Sequence, residues 1–496
     1  MKYSFLSCAL FLATHSVANV TEQTDALAHY AVEQYQQAQI HTLSNMVSFE
    51  TVNKPDTDTL TNPEFIGFKA LLKMKAAQLG FDYQDKGHTV LIGMGTQAEK
   101  VTVVTHGDVQ PADARKWQQS PFSMDMTSEP GNMIGRGTED DKGAIATALY
   151  AMKAIKDKGI PLNNRIELMI YLAEESDWGP LETFMTTYEQ PKYAVTIDAS
   201  YPVVVAEKGW SLIAPTFSAN SAQTGVYVSQ LQGGAFVSQI PEDAQVLLHN
   251  SDAATLETIK QNIANLSDVS VTLQAQSNGI LIKVKGDSAH SSEPEAGHNA
   301  IAHLAEVLKG INLENNSDGQ AIKFINQLIG LDLYGKQFGD IAYSHNFMGP
   351  MTVSPTLLTR KGNELTLSVN LRRPVGKEHA LLQSQIDSAL DQWQTHNQVN
   401  VKDVTVSLGK PMLLDNAPHA QALLDIFKHF TGDQQATFVS IGGGTNAKLF
   451  DNAVSFGPSM PGKKYTGHSE HEYLSVEQIK LNLKMYTAML VKLGNM

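Results

Sequence analysis

The sequence predicts an α/β fold: a mostly parallel sheet with helices on both faces, split by an inserted α+β domain. Three observations carry that expectation. Between about residues 60 and 200, short apolar runs alternate with longer runs of helical periodicity, as in sheets covered on both faces. From about Trp210 the texture changes to segments of alternating polarity mixed with helical ones, which suits antiparallel sheet plus helices. After "GKPMLLDN" the strand and helix alternation returns.

Taken in order, "YAVEQYQQAQIHTLSNMV" reads as a helix, and "EFIGFKALLKMKAAQLG" as a second one with Gly80 placed as its C-terminal stop. "KVTVVTH" reads as a strand. "DKGAIATALYAMKAIKDKG" is a helix with Ile145, Ala148, Leu149, Met152 and Ile155 on one face, and "RIELMIYLA" and "YAVTID" are further strands. In the insert, "GILIKVKG" and "ELTLSVNLR" read as strands and "NAIAHLAEVLKGI" as a helix; the size of the insert suggests two diverged halves. Ser475 and Gln478 form a capping box before the last helix. The resulting division is 1–18 signal peptide, 19–209 α/β domain (first part), 210–408 inserted domain and 409–496 α/β domain (second part).

The signal-peptide reading rests on "MKYSFLSCALFLATHSVANV": one Lys, an apolar stretch from Phe5 to Ala13, and Ser16-Val17-Ala18 as a small-x-small cleavage site. That apolar stretch is shorter than the roughly 20 residues a membrane span needs. Export to the periplasm or medium is therefore expected, with no membrane association of the mature form. The single cysteine, Cys8, falls inside this leader. A mature chain without cysteine excludes thiol catalysis, disulfides and Cys-ligated zinc, so a metal has to be held by His and carboxylates. With 496 residues, 42% hydrophobic, the chain can bury a large core. Its formal net charge of −14, without a long Lys/Arg run, argues against nucleic acid or an anionic membrane as partner.

Three strands end in metal-capable residues: His106 after "VTVVT", Glu174 and Glu175 after "LMIYLA", and Asp198 after "YAVTI". Ligands in open α/β sheets gather at the carboxyl ends of strands. Asp108, two residues beyond His106, can accept from the imidazole nitrogen that faces away from a metal. Each element alone is weak, since a His-x-Asp is commonly an ordinary hydrogen-bonded pair and Glu-Glu commonly a solvated helix face. Two carboxylates at the end of an apolar strand, however, are costly to bury without cations. "GRGTEDDKG" adds Gly135 and Gly137, which permit close backbone approach, and Asp140 and Asp141 before a helix, where capping alone would also explain them.

"THGDVQPAD", "GRGTEDDKG", "LAEES", "TIDASYPVVVAEKGW", "GDSAHSSEPEAGHNA", "NLRRP", "GGGTNAK" and "GHSEHEY" together resemble, in order, the motifs of the aminoacylase/glutamate-carboxypeptidase-type di-zinc metallopeptidases, closest to the bacterial dipeptidase (carnosinase-like) branch. The resemblance runs from about residue 60 to the C-terminus. It implies that His106 and Asp198 bind one zinc, Glu175 and His468 the other, and Asp140 bridges both, with Co2+ or Mn2+ as possible substitutes. Glu472-Tyr473 set the register in favour of His468 over His471, which stands where the family usually carries Asp or Asn. Asp108 would orient His106, Glu174 would be the general base, and the Asp140–Asp141 peptide would be cis. His290 in "SAH" matches the histidine that helps stabilise the oxyanion. Arg372 matches the position that binds the substrate's terminal carboxylate, with Arg373 beside it as a decoy. Ser238 replaces a family Asn, and Gly442, Gly443, Gly444 and Thr445 resemble the substrate loop.

Two divalent ions about 4 Å apart can share a water and lower its pKa toward neutrality, and a free carboxylate beside it can shuttle the proton to the leaving amine. The expected activity is hydrolysis of a small peptide, best read as a dipeptide. An N-acyl amino acid amidohydrolase and a non-catalytic metal- or peptide-binding protein are the alternatives. An insert of roughly two hundred residues resembles the double-sized lid of a monomeric dipeptidase, so a monomer is expected, with a dimer as the other possibility.

Overall fold

The computed structural model describes residues 20–54, 57–218, 224–414 and 416–496. The leader assigned to residues 1–18 lies outside them. Among the described residues, no helix is long and apolar enough to cross a membrane. The chain divides into two compact units: one is Met1–Val204 with Asp415–Val439 and Asn446–Met496, the other Val205–Leu414 with Ser440–Thr445.

The first unit opens with helices α1 (Glu22–Val47) and α2 (Pro63–Leu79). Asn62 caps α2 by accepting from Glu64 N, Pro63 occupies its first turn, and Gly80 ends it in the left-handed region at φ 77°, which glycine adopts without steric cost. Strands β1 (Asp82–Asp85), β2 (Thr89–Met94) and β3 (Lys100–His106) follow, then the short β4 (Asn132–Ile134), helix α3 (Lys142–Asp157), β5 (Arg165–Tyr171) and β6 (Tyr193–Thr196). The sheet runs β1-β2-β5-β3-β6 and then strand Ala453–Ser455. Its centre is parallel, β5 with β3, β3 with β6 and β6 with 453–455, while β1 and β2 make an antiparallel edge. The mixed α/β class expected from the alternation is what the chain adopts.

Val101, Val103 and Val104 of β3 are all buried, as a strand covered on both faces requires, and β-branched side chains suit that surface. Helices α1, α3 and Val476–Gly494 pack together, and Gln39 to Thr147 (2.8 Å) and Thr42 to Tyr150 (2.9 Å) satisfy polar groups between α1 and α3. Ser475 caps the last helix by accepting from Gln478 N. The parallel strands end together at one edge of the sheet. This puts His106, the residues after Tyr171 and those after Thr196 at that edge.

The second unit contains two four-stranded antiparallel sheets, in the orders 227–233, 243–249, 279–285, 270–276 and 352–361, 364–373, 209–217, 403–408. They share an apolar core in which Phe217, Phe324, Phe338 and Trp393 meet edge to face. The loop 440–445 belongs here and not with the residues around it in sequence. Its backbone is tied in by Lys208 N to Ile441 O (3.1 Å) and by Thr445 N to the Glu207 carboxylate (2.9 Å).

Candidate metal centre

At the end of β3, His106 is 1% exposed. Its Nδ1 lies 3.0 Å from the Asp108 main-chain oxygen and 3.5 Å from that residue's carboxylate. A carbonyl can only accept, so Nδ1 carries the proton and the Nε2 lone pair is left facing inward. Asp108 therefore orients His106 chiefly through its backbone. Its carboxylate does something else: it accepts from Glu174 N (3.0 Å), Glu175 N (3.1 Å) and Asn53 Nδ2 (3.1 Å), fixing the turn after β5.

Two groups of ligand atoms converge, His106/Asp140/Asp198 and Asp140/Glu175/His468, the atoms of each lying within 4.8 Å of one another. Asp140 is common to both. Its Oδ1 is 2.8 Å from His106 Nε2 and its Oδ2 is 3.1 Å from His468 Nε2, while Glu175 Oε1 is also 3.1 Å from His468 Nε2 and Asp198 Oδ1 is 3.7 Å from His106 Nε2. The Asp140–Asp141 peptide is cis. Asp141 stands at the start of α3 without making a capping hydrogen bond; Thr105 donates to its carboxylate instead. Capping thus does not account for the Asp pair. His471 is turned away, 3.1 Å from Glu129 and half exposed.

The electrostatics are those of a site with too much negative charge. Burial and the neighbouring carboxylates push Asp198 up to about 6, with His106 opposing. Glu174 is raised well above the usual carboxylate range by burial, then by Asp198. The imidazoles of His106 and His468 are held well above their ordinary value: burial opposes protonation, and the surrounding carboxylates outweigh it. A lone pair of Nε2 at 2.8 Å from a carboxylate oxygen is repulsive unless a positive charge stands between or on them. Divalent cations meet that need, and an all-N/O donor set suits zinc, cobalt or manganese. The residues present fit such ions.

Glu174 supplies no atom to either group. Several residues that sequence reasoning missed hold the ligands in place. Glu472, fully buried, accepts from Gly137 N, Glu139 N and Asp140 N (2.9, 2.9 and 3.0 Å) and from Arg136 Nη1 (2.9 Å), and Arg136 also donates to Gly467 O. Desolvation raises Glu472 to about 7 against the pull of Arg136. Glu139 accepts from Thr466 N (2.7 Å) and its hydroxyl (2.6 Å). The segment carrying Asp140 is in this way stapled to the one carrying His468. Tyr465 donates to Asp140 Oδ2, and Gln110 Nε2 lies 2.8 Å from Glu175 Oε2.

The remaining predicted residues belong to the second unit. Arg372 is 3% exposed; its Nε meets Asn370 Oδ1 (3.1 Å), its Nη2 Ser291 Oγ (2.8 Å) and its Nη1 Gly442 O (3.5 Å). Burial pushes its guanidinium down to about 9. Arg373 instead donates to Lys377 O. Thr445 is bound to Glu207, and Gly442 has no room for a side chain, a Cβ there meeting Ser292 O at 2.3 Å; Gly443 is open and Gly444 follows it. His290 Nδ1 lies 2.6 Å from Ser292 Oγ, and Ser238 offers its carbonyl to Ser291 N (2.9 Å).

An α/β sheet at whose strand ends His106, Glu175 and Asp198 meet a shared Asp140 and His468 defines a metal-dependent hydrolase class. The chain belongs to peptidase family M20/M25/M40, whose model matches residues 102–492. It is accordingly a metallopeptidase-family enzyme. A Bacillus subtilis (strain 168) relative that carries a provisional dipeptidase name, YtjP, is 27% identical over 407 residues, 81% of this chain and 85% of its own. A similarly named protein of Staphylococcus aureus (strain bovine RF122 / ET3-1) is 27% identical over 464 residues, 90% of this chain and 95% of its own. Human carnosine dipeptidase 1 shares the fold with a TM-score of 0.58 at 15% identity, covering 96% of this chain and 99% of that one; the dipeptidase Dug1p of Saccharomyces cerevisiae gives 0.58 at 14%, with the same coverage.

Proposed function

We propose that the chain is an exported, monomeric dipeptidase that holds two zinc ions, one by His106, Asp140 and Asp198 and one by Asp140, Glu175 and His468. The observation that carries this reading is the pair of three-residue groups sharing Asp140. The curated relatives' names support a dipeptide as substrate. When bound, the ions polarise a water and the scissile carbonyl. Glu174, which supplies no atom to either group, accepts a proton from the attacking water and returns it to the leaving nitrogen. Asp108 keeps Glu174 aimed by holding its backbone N–H. Arg372 takes the substrate's terminal carboxylate, to which a guanidinium held by neutral partners is matched, and His290 donates to the oxygen that becomes negative. Gly443, Gly444 and Thr445 line the substrate loop.

The test is hydrolysis of a dipeptide library by purified protein, with and without chelator, alongside N-acyl amino acids. Chelator-sensitive cleavage of unblocked dipeptides is the expected result. Preference for N-acyl substrates assigns amidohydrolase activity instead, and a metal-loaded protein inert toward both overturns the enzyme reading.

A further inference from the structure

His106, Asp108 and Gln110 are alternate residues of the segment that leaves β3, and all three reach the metal centre. The first two hold a ligand position or its backbone, whereas Gln110 is neither a ligand nor a proton carrier. The main chain on either side of it is pinned, Val109 N to Thr51 O at 2.9 Å and Arg136 Nη2 to Pro111 O at 3.3 Å. The side chain is thereby aimed, and its amide nitrogen lies 2.8 Å from Glu175 Oε2. A carboxylate can only accept, so the amide donates.

The two carboxylates of the second group are treated differently. Asp140 presents one oxygen to each histidine, as a bridge requires. Glu175 presents Oε1 to His468 Nε2 and has Oε2 drawn off by Gln110. Its backbone is held as well, through Glu175 N to Asp108 (3.1 Å), and the two bonds together oppose a roll that would offer both oxygens. Only a neutral donor restrains Oε2 without side effects. A lysine there would add a cation beside the ion, and an apolar residue would leave Oε2 free to chelate. Catalytic metal sites keep a position open for water or substrate, and a second carboxylate oxygen is the nearest group able to fill it.

We propose that Gln110 is a positioning residue that limits Glu175 to one-oxygen ligation and so keeps a coordination position open for the peptide carbonyl. This rests on Glu175 being an ion ligand. The experiment compares Co2+-loaded wild-type protein with Gln110→Met, which is close in length but has no donor, and with Gln110→Leu should the first not fold. The readouts are the visible absorption per bound Co2+, the affinity for each of two Co2+ ions, and kcat/KM on a dipeptide. Visible bands of Co2+ weaken as its coordination number rises. The expected result is a weaker band, an undiminished affinity, and kcat/KM lowered about 10- to 100-fold, the usual cost of disturbing a group behind a metal ligand. An unchanged band overturns the proposal, and so does weaker binding with an unchanged band, which marks Gln110 as packing support only. Glu175→Gln separates the two levels: if it leaves both Co2+ affinities at wild-type values, the ligand assignment itself fails, whereas loss of one ion with an unaltered Gln110→Met band removes only the present inference.

Discussion

The two units bury charge of opposite sign in opposite ways. The first brings Asp140, Glu175 and Asp198 against two histidines, and burial together with neighbouring carboxylates raises Glu174 and Asp198 above the ordinary carboxylate range. The second buries the Arg372 guanidinium among an amide oxygen, a hydroxyl and a carbonyl. Arg136 shows the alternative within the first unit: equally buried, it has its carboxylate, Glu472, at 2.9 Å. A buried pair that closes on itself is scaffold. A buried charge that the chain does not close is costly, and such places are where an external charge of opposite sign binds. On that reasoning the carboxylate-rich cluster is matched to cations, and Arg372 to an anion.

The sharpest way to break this contrast is at the shared residue. Asp140→Asn removes a ligand from both groups at once, and each is left with two. Activity should fall to the level of the chelator-treated protein and metal analysis should show both ions lost. Retention of one tight ion would mean that the groups are independent and Asp140 does not bridge. Glu174→Gln is expected to come next in size. It removes a proton shuttle but no ligand atom, so kcat should drop about 10²- to 10⁴-fold with metal content unchanged. Loss of metal in that variant would move Glu174 from the base to the ligand set.

Much of the site was legible because its parts sit at strand ends, where an apolar run followed by His, Glu or Asp is visible in one dimension. His106, Glu175 and Asp198 could be picked out by that pattern. His468 could not: it follows no such run, and its place beside Glu175 comes from the clamp of Glu139 and Glu472 onto the segments around it. Glu472 could be read only as a register mark, since burial of a carboxylate among four donors is a three-dimensional fact. Asp108 was legible as a partner of His106, but the division of labour between its carbonyl and its carboxylate was not. Gln110 had a faint signal, the period of two from His106, which becomes meaningful once the segment is known to run along the site.

A third kind of buried group sharpens the comparison by staying neutral. His419 is fully buried, its Nε2 donating to Ala194 O at 2.9 Å, its Nδ1 without a partner among the described residues, and burial pushes it down to about 4. Because its pKa is lower in the folded chain than the ordinary 6.5, the unfolded chain takes up the proton first as the solution is acidified. Stability tied to this residue is complete above about pH 6.5 and lost between there and about pH 4, by about 3 kcal/mol at 1.36 kcal/mol per pKa unit. His419→Phe should cost about 1 kcal/mol at pH 7 for the lost hydrogen bond and remove that acid-limb slope. The check is the difference in urea unfolding between the two metal-free proteins across this range, and a difference that stays constant with pH refutes the assignment.

Arg372 tests the other side of the contrast with the smallest expected effect. Hydrogen bonds to charged groups contribute about 1.5–3 kcal/mol, so Arg372→Met should reduce kcat/KM for a free dipeptide about 10- to 100-fold. Loss of a contact made equally in ground and transition states raises KM and leaves kcat alone, which is the split expected on removing a group that grips a carboxylate remote from the reacting bond. Arg372→Lys keeps the charge but not the planar fork, and should fall between the two. The decisive control is the same dipeptide with its terminal carboxylate amidated. Wild-type protein should lose on that substrate what the Met variant loses on the free acid, and the variant should not distinguish the two. If both proteins discriminate equally, the guanidinium is held by its neutral partners for the sake of the fold, and a buried charge without a counter-ion is not, in this unit, a sign of a ligand.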